Sequence, residues 1–131
     1  MDNIAVAKEW FTLADLDLQS AVYLQRMKPK PLEIIAYHCQ QSAEKYLKGF
    51  IAFSGARIRK THDLVVLNRD CQRYNSSFIE IMDECINLTD YGVNVRYPFH
   101  VDLEERDVAE AIEDAEIIKE FIESLTKIKT N

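Results

Sequence analysis

Residues 32–53 read LEIIAYHCQQSAEKYLKGFIAF. Within them Ile35, Cys39, Ser42, Tyr46, Gly49 and Phe53 recur at steps of three and four, which gathers their side chains on one side of an α-helix. Ile34, Leu47 and Ile51 widen the apolar face. Twenty-odd residues at about 1.5 Å each make a helix of roughly 33 Å. A face this long is buried only by other long elements.

The flanking sequence supplies them. Residues 3–27 carry Ile4, Ala7, Phe11, Ala14, Leu18, Ala21 and Val22 at the same steps, a second amphipathic helix. Lys28-Pro29-Lys30-Pro31 separates the two, because proline has no N–H to give and disfavours helix at the residue before it. On the other side Ser54-Gly55 reads as a helix stop. Thr61 or Asp63 can cap a short helix over about 64–74. Ser77 with Glu80, and Asp102 with Glu105, have the spacing of a capping box, so helices are expected from near 78 and 103. The last runs through Val108, Ala111, Ala115, Ile118, Ile122 and Leu125. No run has strand period. The expected fold is all-α, an up-and-down bundle of four long helices plus a short fifth, formed by residues 1–131 as a single domain.

Composition agrees. The chain has 131 residues, 47% hydrophobic and 29% charged, enough for a real core in one domain of common size. Gly and Pro together number six, about 5% against a usual share near 12%, so turns are few and elements long. The formal net charge of −6 excludes a generic nucleic-acid or anionic-membrane binder, and any nucleic-acid contact is local. No apolar stretch approaches the roughly 18 residues of a membrane span. Asp2 stands where a signal peptide carries base, so a cytoplasmic protein is expected. Cys39, Cys71 and Cys85 are odd in number and contain no CxxC pair, which argues for buried free thiols rather than disulfides or a structural zinc site.

Charge is uneven. Residues 26–60 hold eight Lys/Arg against Glu33 and Glu44, while residues 102–123 hold ten Asp/Glu against Arg106 and Lys119. These are solvated faces, or else a basic patch for phosphate and an acidic face that meets a partner. His38, Gln41, Lys45 and Lys48 share one face of the second helix. Two lysines a turn apart can hold phosphate as point charges, and Gln41 adds a donor and an acceptor. The alternative is a polar outer stripe, with Glu44 pairing locally to Lys48.

Arg96 and His100, in the stretch Tyr91–His100, offer different chemistry. A guanidinium can hold a scissile phosphate while an imidazole moves a proton, which together suffice for RNA cleavage without metal. No histidine has Glu three residues before it, so a di-iron bundle is excluded. Gly-rich phosphate loops, GxSxG and HExxH are missing too. No metal and no cofactor are expected.

Four segments together spell a pattern: Trp10-x3-Ala14-x2-Asp17-x3-Ala21, then Tyr37-His38-Cys39-Gln40-Gln41-Ser42-Ala43-Glu44-Lys45-Tyr46-Leu47-Lys48, then Lys60-Thr61-His62-Asp63-Leu64, then Arg96-Tyr97-Pro98. In this order and spacing, from about residue 8 to 125, the chain resembles the HEPN family (higher eukaryotes and prokaryotes nucleotide-binding domain). The resemblance implies a five-helix bundle that forms homodimers, often encoded beside a minimal nucleotidyltransferase as a toxin–antitoxin-like pair. Some relatives are metal-independent ribonucleases whose signature is Arg, four to six residues, then His, completed where two protomers meet. Here Tyr97 follows Arg96, and only Tyr97, Pro98 and Phe99 precede His100. That departure points to a non-catalytic module that binds nucleotide or RNA phosphate through His38, Gln41, Lys45, Lys48 and Arg96. The alternative is an endoribonuclease toxin using Arg96 and His100. Tyr91, Tyr97 and Phe99 beside Arg96 have the composition of an interface centre, and a homodimer is expected to join there.

Overall fold

The computed structural model describes residues 2–94 and 102–130, and among them every regular element is helical. They are α1 (Asn3–Leu24), α2 (Leu32–Phe53), α3 (Leu64–Gln72), a 3-10 turn (Ser76–Ile81), α4 (Met82–Thr89), α5 (Tyr91–Asn94) and α6 (Glu105–Thr126). Three helices are 22 residues long, while α3 has 9, α4 has 8 and α5 has 4. The fourth helical stretch, residues 76–94, is delivered in three pieces.

Most ends form where local chemistry puts them. Asp2 accepts from the Ile4 amide at 2.9 Å, and Asp63 from Val65 and Val66 at 2.9 and 3.3 Å, satisfying N–H groups that a first turn leaves open. α2 stops because Gly55 adopts φ +77°, the left-handed region glycine enters freely. Its amide then reaches Ala52 O at 2.9 Å and that of Ala56 reaches Ile51 O at 3.1 Å, the Schellman closure. Two caps differ from the expected ones. Asn75, not Ser77, caps the turn at 76 by accepting from the Ser77 amide at 3.0 Å, and the α-helical geometry begins only at Met82. α6 opens with the reciprocal box Glu104–Asp107 rather than Asp102–Glu105. That register places Leu103 and Val108 at the staple positions flanking the cap.

α2 is the central element: fourteen of its residues are buried, and it packs against each of the other five helices. α1 meets it through Ala7, Phe11, Ala14, Leu18 and Ala21, small and large residues alternating so that two backbones approach closely. At Gly49 the approach leaves no room for a side chain, since a Cβ would lie 2.4 Å from a ring carbon of Phe11. Ile4, Val22 and Ile34 are exposed; Ile4 and Ile34 sit in first turns, and Val22 is a residue step off the buried face. On the far side of α2, Phe50 meets Phe78 at 4.5 Å, and Phe78 meets Phe121 of α6 edge-on at 5.1 Å. Each fully buried aromatic contributes about 1.5–3 kcal/mol.

Two polar links pin the outer helices. Asp15, 5% exposed, accepts from Lys119 of α6 at 2.5 Å and from Gln19. Thr130 bonds the Tyr46 hydroxyl at 3.1 Å and the Glu123 carboxylate at 2.9 Å through its amide, folding the tail back onto α2. Cys39, Cys71 and Cys85 are free and buried, as expected. Burial pushes the Cys39 and Cys85 thiols up to about 12 and raises Cys71 further, so all three stay protonated and unreactive. Among the described residues no helix is long and apolar enough to cross a membrane.

Candidate functional site

The polar residues of α2 fan out around its axis. At 3.6 residues per turn, His38 and Lys45 lie within about 20° of each other, with Gln41 and Lys48 about 60° further round. The structure resolves them accordingly into two clusters. His38 and Lys45 turn to α1, where Asp17 accepts from His38 Nδ1 at 2.9 Å and, through its other oxygen, from Lys45 Nζ. Lys48 turns the other way and donates to Glu44 at 3.0 Å, the local pair expected from their spacing. Both lysines thus carry a carboxylate partner from their own chain.

Glu44 organises the second cluster. It is 5% exposed, and an ionised carboxylate in that setting requires several donors. Besides Lys48 it accepts from His62 Nδ1 at 3.0 and 3.2 Å and from Gln40 Nε2 at 3.4 Å. Gln40 is fully buried; its amide also donates to the His62 carbonyl at 3.1 Å, and its oxygen accepts from Gln41 at 2.8 Å. The loop before α3 is therefore tied to α2 through both the backbone and the side chain of His62. The His62 ring is 73% exposed, so with Nδ1 at Glu44 the rest of the imidazole faces solvent. In the tautomer that donates from Nδ1, Nε2 is an oriented acceptor.

α5 seals the cluster from the side. Gly92 lies flat on Gln40, and a Cβ there would fall 2.5 Å from the Gln40 amide carbon. Glycine is required at this contact by space, not by backbone angle. Tyr91 is half-buried against the core, and burial, reinforced by Asp107, Glu110 and Asp114, raises its hydroxyl pKa. Of the residues singled out from sequence, Arg96, Tyr97, Phe99 and His100 lie outside the described residues. His38 and Lys45 come together, as do Gln41 and Lys48, but on opposite flanks of the stripe.

Asp17, Gln40 and His62 were not among the sequence candidates for the site, although each stands in a segment that carries the family pattern. The i,i+4 spacing of Glu44 and Lys48 was the one local signal for this network. Nothing local announces that His62 closes on Glu44.

The HEPN domain model matches residues 7–125. Among solved structures, the crystal structure of an archaeal HEPN homologue is similar with a TM-score of 0.72 and 26% identity, covering 92% of this chain and 97% of that one. TT1696 from Thermus thermophilus is similar in fold, with a TM-score of 0.80 at 21% identity and coverage of 95% and 98%. Among curated proteins, none matches the chain.

Proposed function

We propose, from the premise that this chain belongs to the HEPN domain family, that it is a module binding nucleotide or RNA phosphate, working in the cytoplasm as a homodimer beside a minimal nucleotidyltransferase in a toxin–antitoxin-like pair. The observation that carries the binding role is the His62 imidazole, open to solvent yet held at Nδ1 by buried Glu44, with Lys48 and Gln41 alongside. An oriented ring nitrogen that accepts suits a ribose hydroxyl or a base N–H, the partly screened Lys48 ammonium beside it suits a phosphate oxygen, and Arg96 follows two residues after α5, which rests on the same cluster through Gly92. The pairing of both lysines with carboxylates weakens their bare field, so affinity rests on these directed groups as much as on charge.

The test is fluorescence anisotropy with a labelled single-stranded RNA, in chelator, on a sample whose mass is read by light scattering. The expected results are a dimeric mass, binding that weakens as salt rises, loss of affinity in Arg96→Ala and in His62→Ala, and RNA recovered uncut. Absence of binding refutes the reading. Time-dependent cleavage removed by Arg96→Ala or His100→Ala replaces it with a metal-independent endoribonuclease.

A further inference from the structure

On the other side of the loop that carries His62, the end of α2, residues 56–60 and the end of α3 enclose an open pocket of about 500 Å³. Its floor is apolar, made by Ile51 and Ile58, both packed into the core. Arg57, Lys60 and Arg73 stand around it, all exposed, and among the described residues none of the three has a carboxylate within ion-pair distance. The single acid in the lining, Asp70, is occupied: Arg59 grips it with Nε and Nη2, each at 2.9 Å. That fork ties the loop to α3 and leaves three cations on one concavity without a counter-charge. Such a cleft concentrates anions, and guanidinium groups match phosphate oxygens in pairs.

Charge alone does not account for the shape. An inorganic anion or an acidic peptide would use the rim and ignore the apolar floor. Tyr74, half-exposed, lines the same pocket with an aromatic ring, a surface on which a planar base stacks. The volume falls in the range of small-molecule sites. We propose that this pocket binds a nucleoside phosphate, with the phosphate at Arg57, Lys60 and Arg73 and the base between Tyr74 and the Ile51–Ile58 floor. The ligand is either a free nucleotide or the 5′-phosphorylated end of an RNA strand. This site shares no side chain with the Glu44–His62 cluster and does not depend on the function assigned to it.

Amide-detected NMR titration of the full chain tests the proposal, with AMP, ATP, a 5′-phosphorylated trinucleotide, inorganic pyrophosphate and a polyglutamate peptide as probes. Saturable shifts centred on residues 56–60, 73 and 74 are expected with the nucleotides. Affinity should fall about tenfold or more in Arg57→Ala/Arg73→Ala and about fivefold or more in Tyr74→Ala, while Arg26→Ala, which removes an exposed cation outside the pocket, leaves it unchanged. Tighter binding of the trinucleotide than of AMP and ATP identifies an RNA end, and the reverse a free nucleotide. The proposal is overturned if no nucleotide shifts these residues, if pyrophosphate binds as tightly as ATP, if Tyr74→Ala has no effect, or if only the peptide occupies the pocket. The variants alter exposed side chains, and retained helical circular dichroism separates lost binding from lost folding.

Discussion

Replacing Glu44 by glutamine keeps the length of the side chain and removes its charge. The carboxylate serves Lys48, His62 and Gln40 at 3.0–3.4 Å, and the Lys48 side chain is only 11% exposed. Breaking a buried ion pair from one side costs on the order of 3–5 kcal/mol, because the remaining charge keeps its desolvation without its partner. Lys48 retains a small outlet to water and can extend toward it, so the low end, about 3 kcal/mol, applies here. For 131 residues the unfolding entropy is roughly 0.28 kcal/mol per kelvin, so Glu44→Gln lowers Tm by about 11 °C. Lys48→Met costs less, about 1–2 kcal/mol, since Glu44 keeps two other donors. The double variant, with no charge left to strand, loses about 2 kcal/mol less than the sum of the singles. Urea unfolding followed by circular dichroism measures all four corners of the cycle. If the two losses add to within about 0.5 kcal/mol, Glu44 and Lys48 are not coupled and this account of the cluster fails.

Gly49→Ala gains about 1 kcal/mol of helix propensity but places a Cβ 2.4 Å from a buried Phe11 ring that cannot retreat; overpacking at about 3 kcal/mol wins. The net is a Tm lower by about 7 °C, largely recovered by adding Phe11→Leu, and an unchanged single variant in thermal melts contradicts the close crossing of α1 and α2. Asp114 is held above the usual carboxylate range by burial, then by Glu84, Glu113 and Glu110, against the hydrogen bond from Asn87. Its folded-state pKa is raised, so the folded state binds its proton more tightly and stability is lost as pH climbs from the ordinary carboxylate range through the raised value. Asp114→Asn is therefore expected to raise Tm by about 1–3 °C at pH 7 and to make no difference near pH 3, where both states are protonated. Scanning calorimetry reads both, and an equal gain at the two pH values counts against the assignment.

The sequence by itself determined the helices, most of their ends and the family. A helix is set by contacts three and four residues apart, and caps by groups two or three apart, so Asp63, the Ser54-Gly55 stop and the Glu44–Lys48 pair were all legible locally. The caps of the last two long stretches were not, because Ser77 and Glu80 compete with Asn75, and Asp102 and Glu105 with Glu104 and Asp107. The register adopted puts Val108, which is buried, at the fourth position of the helix. A helical face also says which side chains point together, but not what faces them. Lys45 meets Asp17 from 28 residues earlier, His62 returns to Glu44 from 18 residues later, and Lys119 reaches Asp15 across 104 residues. Only tertiary structure decides those partners, since it alone sets which helix lies alongside. In doing so it turned a row of cations that spacing placed on one outward stripe into two networks paired with carboxylates, while among the described residues Arg57 and Lys60, on the loop behind α2, have no carboxylate within ion-pair distance.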